Sequence, residues 1–507
     1  MASRRLRLGI ALACGAWLAL RLLVPRAVHW FVFDDSFYYF AIARNLSCGL
    51  GSTFDALHAT NGYHPLWMAV CTLPYALGLD DERAVRALLA VATLGLGGAV
   101  LVASRVVARR AADARARAAI MGGVLLVAFA FSPLGVSIFA NGLESTCTLV
   151  FAAALIERLD AHGPALFSDP ERGRARLAVS ALAAGAFLSR TDAGFLLPWL
   201  AGWALVRGGA GRLRRAVELT LLPAVVVVAY LALNRWAFGT ATQVSGDLKR
   251  VAPNAEGVVT MVALLAAPVA LLAVLARRKL ELLPRTGELV VATAPILLWS
   301  FTLLAYYEGL QRWTQLWYFV APSLYGAVVM AVVLVDLAAR GAAERGARVM
   351  SWALAALPVL LLAGGVIDAS IPGAFTMLET DIEAARWARA NLPEDAIVGS
   401  WDAGAIGYYA HRRVINLDGE VNDVGYLRAL RAGRTADWAA PQRIDYLMNH
   451  TDEDDGEERF RSIAGSFLGD ARVARWTLVR SWPFVHRGAT NGRAPGRHRM
   501  AVWLVRL

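Results

Sequence analysis

Charge is scarce in this chain of 507 residues: Asp, Glu, Lys and Arg together make up 18%, against 57% hydrophobic residues. Mean hydropathy is +0.47. That leaves too little polar surface for a water-soluble globule of this size, so the bilayer is the expected solvent. Cysteine is scarce too. The four residues, Cys14, Cys48, Cys71 and Cys147, form no CxxC, so no zinc or dithiol motif is visible. Cys48 and Cys71 could pair on an oxidising side, but isolated thiols in apolar surroundings are the simpler reading. No repeat of fixed period and no Ser- or Pro-rich linker divides the chain. No small-x-small cleavage site follows the N-terminal run MASRRLRLGIALACGAWLALRLLV, which therefore reads as an uncleaved signal anchor with a cytoplasmic N-terminus.

What is present is a basic excess, with 51 Lys and Arg against 40 Asp and Glu, a net charge of +11. In a soluble protein this would raise nucleic acid as a partner. Here the arginines cluster in short loops between apolar runs, as in cytoplasmic loops of membrane proteins, and no stacking-aromatic or zinc-knuckle pattern supports nucleic-acid binding. Apolar runs long enough to span (about 20 residues) start near Leu8, Ala84, Ala118, Ala216, Gly257, Glu288, Leu316 and Ser351. Three shorter runs, Thr146–Ile156, Leu177–Leu188 and Gly194–Val206, bring the expected total to roughly 11 spans. The run Pro65–Leu79 is short and contains Pro74. Laying it along the membrane surface puts the basic loops Ser104–Arg117, Glu171–Arg176, Arg207–Arg215, Arg277–Arg285 and Ala339–Arg348 all in the cytoplasm.

From about Gly373 the composition changes to charge, turns and alternation. The pattern predicts a helix over Asp381–Ala390, a turn at Pro393, a strand over Ala396–Trp401, a short helix over Ala403–Ala410 and a strand over Arg413–Leu417. Further strands are expected at RIDYLMN, WTLVRSWPFVH and RMAVWLVRL, and a solvated loop running into a helix at TDEDDGEERF. The fold class is thus a polytopic α-helical membrane protein with a C-terminal extracytoplasmic α/β domain. The membrane region covers 1–372, with a first outer loop at 25–83, and the outer domain covers 373–507.

This topology gathers the unusual polar stretches at the outer face: FDDSFYYFAIARNL, TNGYHPLW, NGLEST, SRTDAG, NRWAFGTATQVSGDLKR and YYEGLQRWTQLW. Ionisable groups at the edges of apolar segments are costly in lipid and tend to mark a site. The expected pocket holds Asp34, Asp35, Glu144, Arg190, Asp192, Lys249, Glu308 and Arg312, with Asn61 and His64 beside them. Blander roles compete. One of Asp34 and Asp35 can cap a helix starting at Ser36. Arg190 and Asp192 can be a buried ion pair, Arg44 a headgroup contact, Lys249 an interfacial anchor and His64 a structural residue.

The ordered set of motifs resembles bacterial GT-C-fold membrane glycosyltransferases, in particular their arabinofuranosyl- and mannosyltransferase-like branch. The carriers are the aspartate pair after the first span, the RNxxxGxG of Arg44–Gly51, then NGYHPLW, NGLES, LSRTDAG, FGTATQVSGDLK and the soluble AIVGSWDAGAIGYYAHRRVINLDGEV. The resemblance spans most of the chain. It implies transfer of a sugar from a polyprenyl-phosphate donor to a glycan, lipid or protein acceptor of the cell envelope, at the outer face of the plasma (inner) membrane. It further implies Asp34 or Asp35 as general base, with Asp35 slightly favoured, because inversion requires a proton to leave the attacking hydroxyl. The leaving lipid phosphate needs cations, for which Lys249, Arg190, Arg312 and, more weakly, Arg44 are candidates. The Pro65–Leu79 segment is expected to line a lipid groove. A divalent metal is neither required nor forbidden. A transporter or flippase of a lipid-linked or anionic solute is the competing class, and a non-catalytic scaffold a third. A transporter should carry its charges at the midplane, whereas a transferase should gather them in one cavity at the outer rim.

Overall fold

Long apolar runs in lipid must satisfy their own backbone, and the chain does so with helices. The computed structural model describes residues 2–24, 31–112, 116–277, 283–311, 314–339, 377–452, 456–469, 476–486 and 496–505. Five helices are long and apolar enough to cross a bilayer: Leu6–Leu23, Asp81–Arg110, Gly209–Phe238, Ala255–Leu275 and Leu316–Ala339. Two broken pairs also qualify, Met121–Ala130 with Pro133–Phe139, bent by 67°, and Pro284–Ala292 with Ala294–Leu310, bent by 76°. The first break has a local cause. Pro133 has no N–H for the preceding turn, and Ser132 Oγ caps the restarted helix by accepting from Gly135 N at 3.0 Å. The three shorter runs form the helices Ser145–His162, Gly173–Ser189 and Leu196–Arg207. The run from Ser351 lies outside the described residues.

One end of the bundle is tied by ion pairs between helix ends. Arg109 and Arg110 both meet Asp160, Arg110 reaches Glu288 at 2.7 Å, and Arg285 meets Asp336 at 3.2 Å. The Asp81–Arg110 helix, 30 residues and about 45 Å long, separates this end from the polar stretches of the first loop. The Pro65–Ala76 helix has 12 residues, about 18 Å, short of a hydrocarbon core. It buries Trp67, Met68, Cys71 and Tyr75, and Trp67 Nε1 donates to the Gly142 carbonyl at 2.9 Å. Cys71 is buried and Cys48 exposed, and all four cysteines are free thiols.

The C-terminal region folds as a five-stranded sheet in the order β2-β1-β3-β5-β4. β1 (Ile397–Ser400) pairs in parallel with β2 (Arg413–Asn416) and with β3 (Tyr446–Asp452). β5 (Gly496–Leu504) runs antiparallel to β3 and to β4 (Thr477–His486). One face packs Ile415, Leu447 and Trp503 against Leu468, from the Gly456–Leu468 helix. The other packs Val398, Val414, Met448 and Val502 into an apolar cluster continuous with that of the bundle.

Parallel pairing places the carboxyl ends of β1 and β2 side by side, with Ser400 opposite Asn416. The loops that follow face the bundle and are fastened to it. Gly404 N and Ala405 N donate to the Asp34 carboxylate at 2.8 and 2.7 Å. Tyr38 Oη donates to Asp418 at 2.9 Å, and Tyr75 and Tyr408 share a hydroxyl hydrogen bond at 2.8 Å. The approach is close enough to demand glycine. A Cβ at Gly404 would overlap the Asp34 backbone, and one at Gly62 would overlap the Glu420 carbonyl.

Candidate functional site

The Asp34–Ser47 helix begins at the aspartate pair itself rather than at Ser36, with Phe33 as its N-cap. Acids in a first turn are favoured by the helix dipole, which accounts for their position but not for their number. Adjacent helical residues point about 100° apart, and the two side chains go to different work. Asp34 holds the α/β domain through the Gly404 and Ala405 amides. Asp35 faces a cavity of about 490 Å³ at the junction of helix ends, first loop and α/β domain. Its carboxylate has no hydrogen-bond or ion-pair partner among the described residues.

Two charged clusters share that cavity. In the first, the buried Arg190 is saturated: its guanidinium donates to Glu144 at 2.5 Å, to Asp192 at 2.8 Å and to Tyr307 Oη at 2.7 Å. Tyr39 Oη donates to the other Glu144 oxygen at 3.0 Å. His64 Nε2 lies 3.7 Å from Glu144, while its Nδ1 accepts from Thr191 N at 3.3 Å and faces Gln243 Nε2 at 2.9 Å. Burial pushes the His64 pKa down to about 4, so the imidazole is neutral at pH 7, as its accepting Nδ1 requires. Arg190 and Asp192 thus form the ion pair that competed with a ligand role, widened into a network.

In the second cluster Lys249 Nζ meets Glu420 at 2.8 Å and donates to Tyr318 Oη at 3.0 Å. Burial opposes the ammonium, but Glu420, Tyr318 and Asp35 hold its pKa well above the ordinary value. For Asp35, burial first and Glu420 second push the pKa well up, against the pull of Lys249. Burial, with Asp381 and Asp402 adding repulsion, raises Asp34 to about 7 despite its two amide bonds. Tyr307 and Tyr318 stack at 4.7 Å and join the two clusters. The apolar wall of the cavity comes from Phe187, Leu197, Val227, Tyr230 and Leu231.

The cavity therefore brings together Asp35, Glu144, Arg190, Asp192, His64 and Lys249 out of the predicted set. The others go elsewhere. Asp34 is taken up by the α/β-domain amides. Arg44 pairs with Asp81 at 3.0 Å and donates to the Tyr408 carbonyl at 2.9 Å, away from the cavity, because this face of its helix meets the α/β domain. Asn61 ties the first loop to Asn234 at 2.8 Å, to the Thr242 carbonyl and to Val244 N. Glu308 is exposed and does not line the cavity. Arg312 lies outside the described residues. The Pro65–Ala76 helix contributes no lining residue apart from its N-cap His64, so the apolar wall is built by other helices than the one expected.

Glu420 is the residue the motifs leave unmarked. Its one signal is position: an acid in a glycine turn following a parallel strand, where crevices of α/β sheets collect ligand-facing groups. Among the described residues no group of three or more His, Cys, Asp or Glu side chains is arranged to hold a metal ion.

A family described as a domain of unknown function (DUF8728) matches residues 374–503, the α/β region. No curated protein matches the chain. Among solved structures, the apo oligosaccharyltransferase of Archaeoglobus fulgidus is similar with a TM-score of 0.55 and 12% identity, covering 94% of this chain and 73% of that one. Apo ArnT from Cupriavidus metallidurans is similar with a TM-score of 0.55 and 13% identity, covering 98% of this chain and 97% of that one. ArnT bound to undecaprenyl phosphate gives 0.52 and 14%, covering 99% and 98%. At these identities the likeness concerns the fold: over nearly its whole length, the chain has the GT-C architecture, a polytopic helical bundle with a C-terminal α/β domain.

Proposed function

We propose that the chain is a membrane glycosyltransferase that moves a sugar from a polyprenyl-phosphate carrier to a cell-envelope acceptor, with inversion and with Asp35 as general base. The observation that carries this reading is a carboxylate, Asp35, without a partner among the described residues, facing the same cavity as a charged lysine and an apolar wall. These are the three things the reaction needs. The acceptor hydroxyl loses its proton to Asp35 as its oxygen bonds to the anomeric carbon. The bond from that carbon to the phosphate oxygen breaks, and the polyprenyl phosphate leaves with the electron pair. A base works best with its pKa near the working pH, and burial beside Glu420 moves Asp35 upward in that direction. Lys249 is the cation better suited to meet the phosphate, since Arg190 is bonded directly to two carboxylates and Lys249 to one, Glu420. Phe187, Leu197, Val227 and Leu231 suit the first isoprene units of the carrier.

Two neighbours with this fold were solved with carriers: ArnT with undecaprenyl phosphate, and the archaeal oligosaccharyltransferase with a dolichol-phosphate and an inhibitory peptide. Transport of a lipid-linked or anionic solute fits less well, because the charges gather beneath an α/β domain that supplies one of them, Glu420. With the arginine-rich helix ends in the cytoplasm, the cavity opens at the outer face of the plasma membrane. The test is to incubate the purified protein with radiolabelled polyprenyl-phosphate sugars and candidate acceptors. Label should move to an acceptor with wild type and not with Asp35→Asn; equal transfer by both chains would remove Asp35 from the mechanism.

A further inference from the structure

The Lys249–Glu420 pair is unlike the ion pairs that fasten the two regions together. Arg386–Glu82 and the His411–Asp81 contact at 2.6 Å sit away from the cavity, whereas both members of this pair line it. One partner comes from the bundle side, in the short helix Val244–Lys249, and the other from the loop after β2. Two of the three N–H groups of Lys249 are taken, by Glu420 and Tyr318. A phosphate approaching this ammonium meets Glu420 on it and Asp35 beside it, so three anions compete for one cation.

The Glu420 backbone is pinned while its side chain is not. Gly419, at φ +91°, turns the chain, and its amide donates to Asn416 Oδ1 at 2.9 Å. Glu420 N donates to Asp418 at 2.8 Å, and the Glu420 carbonyl abuts Gly62. Only the side chain is left to move, and among the described residues its side-chain partner is Lys249.

We infer that Glu420 is a built-in competitor for the carrier phosphate: it holds Lys249 while the cavity is empty, swings aside for the donor, and returns to displace the polyprenyl phosphate after transfer. The inference rests on the glycosyltransferase reading. The chemistry gives the competitor a purpose. The donor is a phosphodiester with one negative charge. The released carrier is a monoester, which approaches two at neutral pH, as phosphate monoesters do with a second pKa near 6. A lysine left without a competitor would hold that product more tightly than the donor and slow each turnover. Glu420 is a positioning residue in this account, acting through Lys249 and touching neither the sugar nor the acceptor.

The probe is undecaprenyl phosphate, with uncharged undecaprenol as control, each titrated into the purified full-length protein in detergent. Wild type should prefer the phosphate over the alcohol, and Lys249→Met should lose that preference. Glu420→Gln should bind undecaprenyl phosphate at least tenfold more tightly than wild type, with undecaprenol unchanged, a gain that a merely structural role would not produce. Glu420→Asp, which keeps the charge on a shorter stem, should fall between the two and serves if the glutamine variant does not fold. Equal or weaker phosphate binding by both variants, with wild type still preferring the phosphate, would overturn the competitor and leave the donor reading standing. A wild-type protein that does not distinguish phosphate from alcohol would overturn both.

Discussion

The two charged clusters of the cavity are built from similar residues and differ in whether those residues are satisfied. Around Arg190 every charge is answered: two carboxylates, two tyrosine hydroxyls and a neutral imidazole close the network. Around Lys249 the carboxylate of Asp35 has no partner among the described residues, and Glu420 shares the lysine with whatever enters. A closed network fixes geometry and resists change. An open one leaves charged groups facing the cavity. The sequence offers Arg190 and Lys249 alike as candidate cations; only the three-dimensional pairing separates the closed network from the open one.

That contrast can be broken from either side. The largest effect is expected at the closed cluster. Arg190→Leu leaves Glu144 and Asp192 buried without their cation, and breaking a buried pair costs about 3–5 kcal/mol, so thermal unfolding in detergent should drop steeply or the protein should fail to accumulate. A next effect comes from pH. The His64 pKa is held down to about 4 in the folded protein, below the ordinary 6.5. Between those values the unfolded chain binds more protons, so this contribution is intact above pH 6.5 and is lost as pH falls toward 4. The difference amounts to on the order of 3 kcal/mol. Melting followed from pH 7 to 4.5 should fall more steeply for wild type than for His64→Asn, whose side-chain oxygen can still accept from Thr191 N.

At the open cluster, Lys249→Met should cost less stability than Arg190→Leu, because Glu420 keeps contact with solvent, and should slow transfer by about 100-fold, the usual cost of one lost donor to a developing anion. A melting loss as large as that of Arg190→Leu would erase the distinction between the clusters. The smallest effect is expected at Asp34, where Asn keeps an acceptor for one of the Gly404 and Ala405 amides and loses the other bond. Stability should change by about 1 kcal/mol, read as a small shift in melting temperature.

Much of the architecture was legible because it is local. Seven long apolar runs coincide with the spans and bent pairs, and all five strands overlap the expected ones, with β3 starting three residues later and β5 three residues earlier. The Met377–Asn391 helix exceeds the expected Asp381–Ala390 by four residues at the start. The helices Val424–Arg431 and Thr435–Ala439 are not among the expected elements; both are short, the first is capped by Asp423, and Tyr426 and Trp438 pack ring against ring between them at 4.7 Å. The site was legible as a set of residues and not as a division of labour. Asp34 finds its amides 370 positions away, and Glu420 meets Lys249 across the same domain boundary, so no window of sequence contains either pair. Arg44 was misplaced for the same reason, since its partner carbonyl at Tyr408 belongs to a distant helix.

The most direct measurement compares Asp35→Asn with Asp34→Asn in single-turnover transfer from a radiolabelled polyprenyl-phosphate sugar, with both proteins shown to be folded. If the open carboxylate is the base, Asp35→Asn slows the chemical step by about 100- to 10,000-fold, while Asp34→Asn stays within a few-fold of wild type. Equal rates for the two variants, or a loss confined to Asp34→Asn, would contradict the account.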